Sequence, residues 1–225
     1  LCASEGHFIE FTNREVDMGN RVITYRGFVI LAMLAAGLMA LPSTVAAQTV
    51  SQAKAAQATV PGATVLGITL PGTTTVLAGT AALPPGMTGA LEASSIAGTV
   101  PSLVSADSLH ATVISLPDEV ASEASLGSLG LSVAGNTISA DFIMARALAV
   151  TGAGGSGDSE IDRLSINGVS VPVTGSPNQT ISIVGGTVIL NEQQTGATGA
   201  VVNALHVIVT GVADVVVASA IAAIP

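Results

Sequence analysis

From Val65 onward the chain is a succession of short β-rich runs broken by glycine, proline and threonine, with no amphipathic helical stretch between them. Runs this short bury little surface alone, so they must pair and stack into layers. VLGITL is closed by Pro71-Gly72, TTTVLAG follows, and Pro84-Pro85-Gly86 marks a firm break. Such pairs fix or permit turn dihedrals that a strand interior rejects. Residues 109–116 (LHATVISL) read as a strand, and residues 118–125 (DEVASEAS) as a short helical or irregular turn.

The C-terminal half is more regular. Residues 126–133 lead through Ala134-Gly135-Asn136 into 137–150 (TISADFIMARALAV), a predicted hairpin. Helix is the rival for ADFIMARALAV, which is rich in good helix formers. The alternating Thr137-Ile138-Ser139-Ala140 start and the flanking glycines favour strand. Residues 152–160 (GAGGSGDSE) read as an exposed flexible loop. Leu164 and Ile166 alternate with polar neighbours, and Asn167-Gly168 turns the chain into VSVPV. Strands over 180–184, 187–191, 204–209 and 212–224 complete the set. Two segments, SLGLSVAGNTISADFIMARALAV and ALHVIVTGVADVVVASAIAAI, share a strand, a glycine-containing turn, an early acid and alanines spaced by two. About ten strands without helices predict one all-β domain, an antiparallel β-sandwich. A parallel β-helix is the alternative, though no strict repeat period is present.

Composition changes sharply near residue 48. Before it, Met18, Arg21 and Arg26 precede an apolar run over 28–41, then Val45-Ala46-Ala47. This has the order of a secretory leader, with Val45 and Ala47 as the small residues before cleavage and Gln48 as the mature start. A spanning helix needs about twenty apolar residues, more than this run supplies. The expected organisation is an upstream segment 1–17 outside the functional protein, a signal peptide 18–47, a low-complexity arm or edge strand 48–60, and a single domain 61–225. The one cysteine, Cys2, falls upstream, which leaves a cysteine-free exported domain. No lipid-attachment cysteine or C-terminal anchor is visible, so the chain reads as secreted or loosely surface-associated, with no membrane insertion after cleavage.

Beyond residue 47 three basic residues face eleven acidic ones, a formal charge of −8. Phosphate backbones and anionic membranes call for concentrated positive charge, so nucleic acid is excluded as a partner. GAGGSG at 152–157 resembles a phosphate loop only superficially, because Asp158 and Glu160 follow at once. Asp158, Glu160 and Asp162 are the candidate calcium ligands, being hard carboxylates close in sequence, but they lack the twelve-residue loop pattern. His110 and His206 sit in apparent strands; a hydrolase would set a serine and an orienting acid beside one of them. Asn178-Gln179-Thr180 is formally a glycosylation sequon and reads as a polar turn. Asn191-Glu192-Gln193-Gln194 reads as a strand exit, with ligand binding or loop locking as the alternatives.

Residues 161–168 (IDRLSING), 187–193 (TVILNEQ), 203–206 (NALH) and 213–220 (ADVVVASA), with a looser match at Ser139-Ala140-Asp141, resemble a bacterial exported group, the choice-of-anchor P family proteins. The resemblance spans residues 100–224. It implies a surface-displayed domain and brings no catalytic residues. The sequence therefore predicts a non-enzymatic structural or interaction protein that forms homo-oligomers or binds an envelope partner. The rival is a calcium-dependent or carbohydrate-binding adhesive module. Phe142, the one aromatic residue beyond residue 47, offers little for sugar stacking.

Overall fold

The computed structural model describes residues 50–65 and 68–225, which contain fifteen strands and no helix. The upstream segment 1–17, the leader 18–47 and the cleavage residues Val45, Ala47 and Gln48 lie outside the described residues. No helix among the described residues is long and apolar enough to cross a membrane.

In chain order the strands are β1 Gln52–Val60, β2 Ala63–Val65, β3 Ile68–Leu70, β4 Thr73–Gly79, β5 Gly89–Val100, β6 Val104–Ser115, β7 Glu119–Val133 and β8 Asn136–Val150. They continue as β9 Gly154–Asp162, β10 Ser165–Ile166, β11 Val169–Ser170, β12 Gln179–Ile183, β13 Gly186–Gly196, β14 Gly199–Val209 and β15 Ala213–Ala223. One sheet has the order β12-β13-β14-β15-β1-β4. The other runs β11-β10-β8-β7-β6-β5, with β9 sharing the outer edge of β8. Every pairing is antiparallel, which confirms the sandwich and excludes the parallel β-helix. Tight turns behave as their residues require. Ala134-Gly135 and Asn167-Gly168 both hold φ at 48° to 80°, the all-positive geometry that matches the twist of a hairpin. The two similar segments are the hairpins β7–β8 and β14–β15, which pack against each other across the sandwich.

Three expectations are corrected. Residues 52–60 are neither an arm nor an edge, because β1 is hydrogen-bonded to β15 on one side and β4 on the other. Its alanines 53, 55, 56 and 58 are all buried, so low complexity here reflects a tight interior position. The domain therefore begins before residue 61. Residues 118–125 make no helical turn. They open β7, with Val120, Ser122 and Ala124 inward, and the Ser122 hydroxyl donates to the Gln52 carbonyl of the opposite sheet at 3.1 Å. Residues 154–162 are strand β9 rather than loop, and their glycines answer a steric need. A Cβ on Gly155 would overlap the Gly199 carbonyl, and one on Gly157 would overlap Val202.

Each long strand also reverses its in-and-out alternation once. On β14, Ala200, Val202 and Ala204 face the core, and then Leu205, Val207 and Val209 do. The ladder skips a rung there, and the skipped rungs line up across the sheet at Asn191, Ala204, Ala218, Ala55 and Ala78. Asn191, Ala218 and Ala78, on alternate strands, hold φ at 45° to 51°. The second sheet has the same fault, with Ser108, Ser128 and Arg163 at φ 50° to 51°. Each left-handed non-glycine residue costs roughly 1 kcal/mol, so the surrounding ladder must hold it in place.

Side-chain size changes across this line. On one side the inward residues are Leu129, Leu131, Ile138, Leu205, Val207 and Val215; on the other, Ala145, Ala147, Ala149, Ala200, Ala220 and Ala222 dominate. Large side chains hold two sheets about 10 Å apart, whereas alanine and glycine let them close. The alanine-lined half is the half in which β9 meets β14 backbone to backbone.

Candidate functional site

The reversal builds a cluster of polar and titratable side chains. Simple alternation from Leu190 and from Ala204 would turn Glu192 and His206 into the core. The skipped rung turns both outward instead, onto the solvent face of the six-stranded sheet. There His206 Nδ1 lies 2.9 Å from Glu192 Oε2, and its Nε2 lies 3.0 Å from Asp214 Oδ1. Asn203 Nδ2 donates to Glu192 Oε2 at 2.7 Å. Glu192, Asn203, Ser219 and Lys54 form one straight row over four strands. Lys54, Gln57, Asn203 and Ser219 help line a shallow hollow of about 170 Å³, and burial pulls the Lys54 ammonium below its usual range.

Burial is the largest influence on His206 and works against a charged ring. The hydrogen bond and charge of Glu192, joined by Asp214, outweigh it and raise the imidazole above its ordinary pKa. The hydrogen bond from His206 is in turn the main cause that lowers Glu192, against its own burial. A doubly protonated ring satisfies both carboxylates, since each nitrogen then donates. Both ring nitrogens face carboxylates rather than a serine hydroxyl, so the arrangement of a hydrolase is not formed around His206. His110 is half-exposed, with its Nε2 3.4 Å from Glu92 Oε1.

The other sequence candidates are dispersed. Asp158, Glu160 and Asp162 follow one another on the outward face of β9 and pair in register with Arg146, Met144 and Phe142. Alternate residues of a strand stand nearly 7 Å apart, so the three carboxylates are spread along β9. No group of three His, Cys, Asp or Glu among the described residues is placed to hold a metal. The Asn191–Gln194 quartet is no strand exit. It lies within β13, where Asn191 Nδ2 donates to the Gly175 carbonyl and Gln193 N–H to Asn178 Oδ1, locking the turn at 175–178.

Sequence reasoning missed a second feature, because it depends on register. Thr112, Glu123, Arg146 and Asp158 stand in line over β6 to β9, with Arg146 Nε donating to Glu123 Oε2 at 2.7 Å. Together with Ile114 and Leu148 they line an open groove of about 440 Å³ on the outer face of the seven-stranded sheet. Comparison with known proteins found no matching family model, no matching curated protein and no matching solved structure.

Proposed function

We propose that this chain is a secreted or surface-associated structural protein, non-enzymatic, that works by associating with itself. The observation that carries this reading is its charge distribution. An acidic body is joined to an unbroken run, residues 55–91, that contains no Asp, Glu, Lys, Arg or His. Much of that run is on the surface. Residues 60–64 and 69–76 are exposed, with Leu70 and Val76 among the large apolar side chains in contact with solvent. Like-charged copies repel over most of their surface and can approach closely only where charge is missing. The resemblance to the choice-of-anchor P group supports the same reading. Among the described residues all strand pairing lies within residues 51–223, so residues 48–225 hold every described strand and are the unit for measurement. Light scattering of that unit over a concentration series is expected to give a mass above the monomer, unchanged by calcium. A monomer at every concentration overturns the reading.

The groove around Arg146 favours a second reading, an adhesive module for carbohydrate. Its Thr112, Glu123, Arg146 and Asp158 present the donors and acceptors that sugar hydroxyls use. Immobilised glycans are expected to retain the wild type and to release the Arg146→Ala variant. Equal retention of the two removes the groove from consideration.

A further inference from the structure

We infer that the surface of self-association is the free edge of β4, paired antiparallel with the β4 edge of a second copy about a two-fold axis. This rests on the self-association proposed above and names where it occurs.

The argument begins with the arm from which β4 descends. The register of β1 on β4 (Thr59↔Thr74, Val60↔Thr73) continues without a shift into that of β2 on β3 (Ala63↔Leu70, Thr64↔Thr69). The two pairs are thus one long hairpin, interrupted where Pro61-Gly62 crosses Pro71-Gly72. A Cβ on Gly62 would come within 2.6 Å of the Leu70 carbonyl oxygen, and one on Gly72 within 2.8 Å of Gly62 N, so the crossing needs glycine on both strands. Among the described residues β2 and β3 pair only with each other.

Sheet edges invite further strands unless they are short, charged or irregular. The edges of this fold differ sharply in that respect. β11 has two residues and β12 five. β9 carries three outward acids. β5 carries Glu92, and its Ser95 hydroxyl donates to the Ala97 carbonyl on the same strand. β4 (TTTVLAG) has seven residues and no charge, and among the described residues it is hydrogen-bonded to β1 alone. Its first four residues are exposed, and the strand itself carries no charged side chain.

A second copy is the occupant that fits. An uncharged strand set against its own copy places no like charges opposite each other, while the acidic faces of the two bodies stay apart. Two-fold pairing closes on itself, so the product is a dimer that shares one continuous sheet. Threonine and valine, which make up Thr73–Val76, are favoured in such cross-strand pairs.

The test compares Thr75→Lys and Thr73→Lys on the β4 edge with Ser95→Lys on the β5 edge, all in residues 48–225. Mass is read by light scattering and folding by thermal melting. The expected result is a dimeric wild type and a dimeric Ser95→Lys form, with both threonine variants monomeric and still folded. If the wild type is a monomer, self-association and this surface fall together. If the threonine variants remain dimeric, or only Ser95→Lys dissociates, self-association stands and the β4 surface is overturned. Growth beyond the dimer overturns the two-fold arrangement.

Discussion

Gly155→Ala is expected to destabilise the domain by about 3 kcal/mol, lowering Tm by roughly 6–12 °C. The added methyl group would meet the Gly199 carbonyl oxygen and carbon and the Ala200 nitrogen, all of them backbone atoms of the facing sheet. A clash with a side chain can be relieved by a rotamer change; this one cannot. Either β9 lifts from β14 or the alanine-lined half of the sandwich opens, and both outcomes expose the buried methyls of Ala145, Ala147, Ala149 and Ala200. Gly89→Ala is the matched control. Nothing lies within 4 Å of its added Cβ and its φ is not positive, so the change is neutral or stabilises by up to about 1 kcal/mol. Melting followed by circular dichroism separates the two. A Gly155→Ala protein that melts within about 2 °C of wild type would show that the layers are not in backbone contact at this end.

The same contact shows why parts of the fold were legible in the sequence and parts were not. Strand-rich runs and paired turn residues act locally, so the β7–β8 hairpin, the Asn167-Gly168 turn and the sandwich class follow from composition and order. The glycines of 152–157 read as loop material in the sequence because glycine has two uses, turning a chain and admitting a neighbour's backbone. Only the neighbour, Gly199, decides between them. Low complexity in β1 had the same ambiguity, which its position between β15 and β4 resolves. Period-two reasoning failed at the reversal row, where one left-handed residue such as Asn191 or Ala218 moves every following side chain to the opposite face. Glu192, His206 and Asp214 were each visible as residues, but their convergence depends on that row. Their one sequence signal was weak: a short turn joins His206 and Asp214 in a hairpin, eight residues apart and on one face.

The His206 cluster yields the second large effect, read as a pH profile. His206 is raised by its carboxylates, so its stabilisation is complete below the unfolded imidazole pKa of about 6.5 and is lost as pH rises through the higher folded value. Glu192 is lowered, so its stabilisation is complete above the unfolded carboxyl pKa of about 4.3 and is lost as pH falls through the lower folded value. Both contributions are present together between about pH 4.5 and 6.5, and stability should peak there. Charge-assisted hydrogen bonds of this kind are worth about 2 kcal/mol, most of it from the enclosed Glu192 contact, because Asp214 is half-exposed and solvent screens it. His206→Gln leaves Glu192 with Asn203 as its remaining strong partner. The variant is expected to melt roughly 4–8 °C below wild type near pH 5.5, with the gap narrowing toward pH 8 as the wild-type ring loses its proton. Asp214→Asn should reproduce only a small part of the loss. Because the substitution changes this cluster alone, the difference between the two melting curves isolates it. Parallel wild-type and His206→Gln profiles from pH 5 to 8 would mean that folding leaves the ring's pKa unshifted.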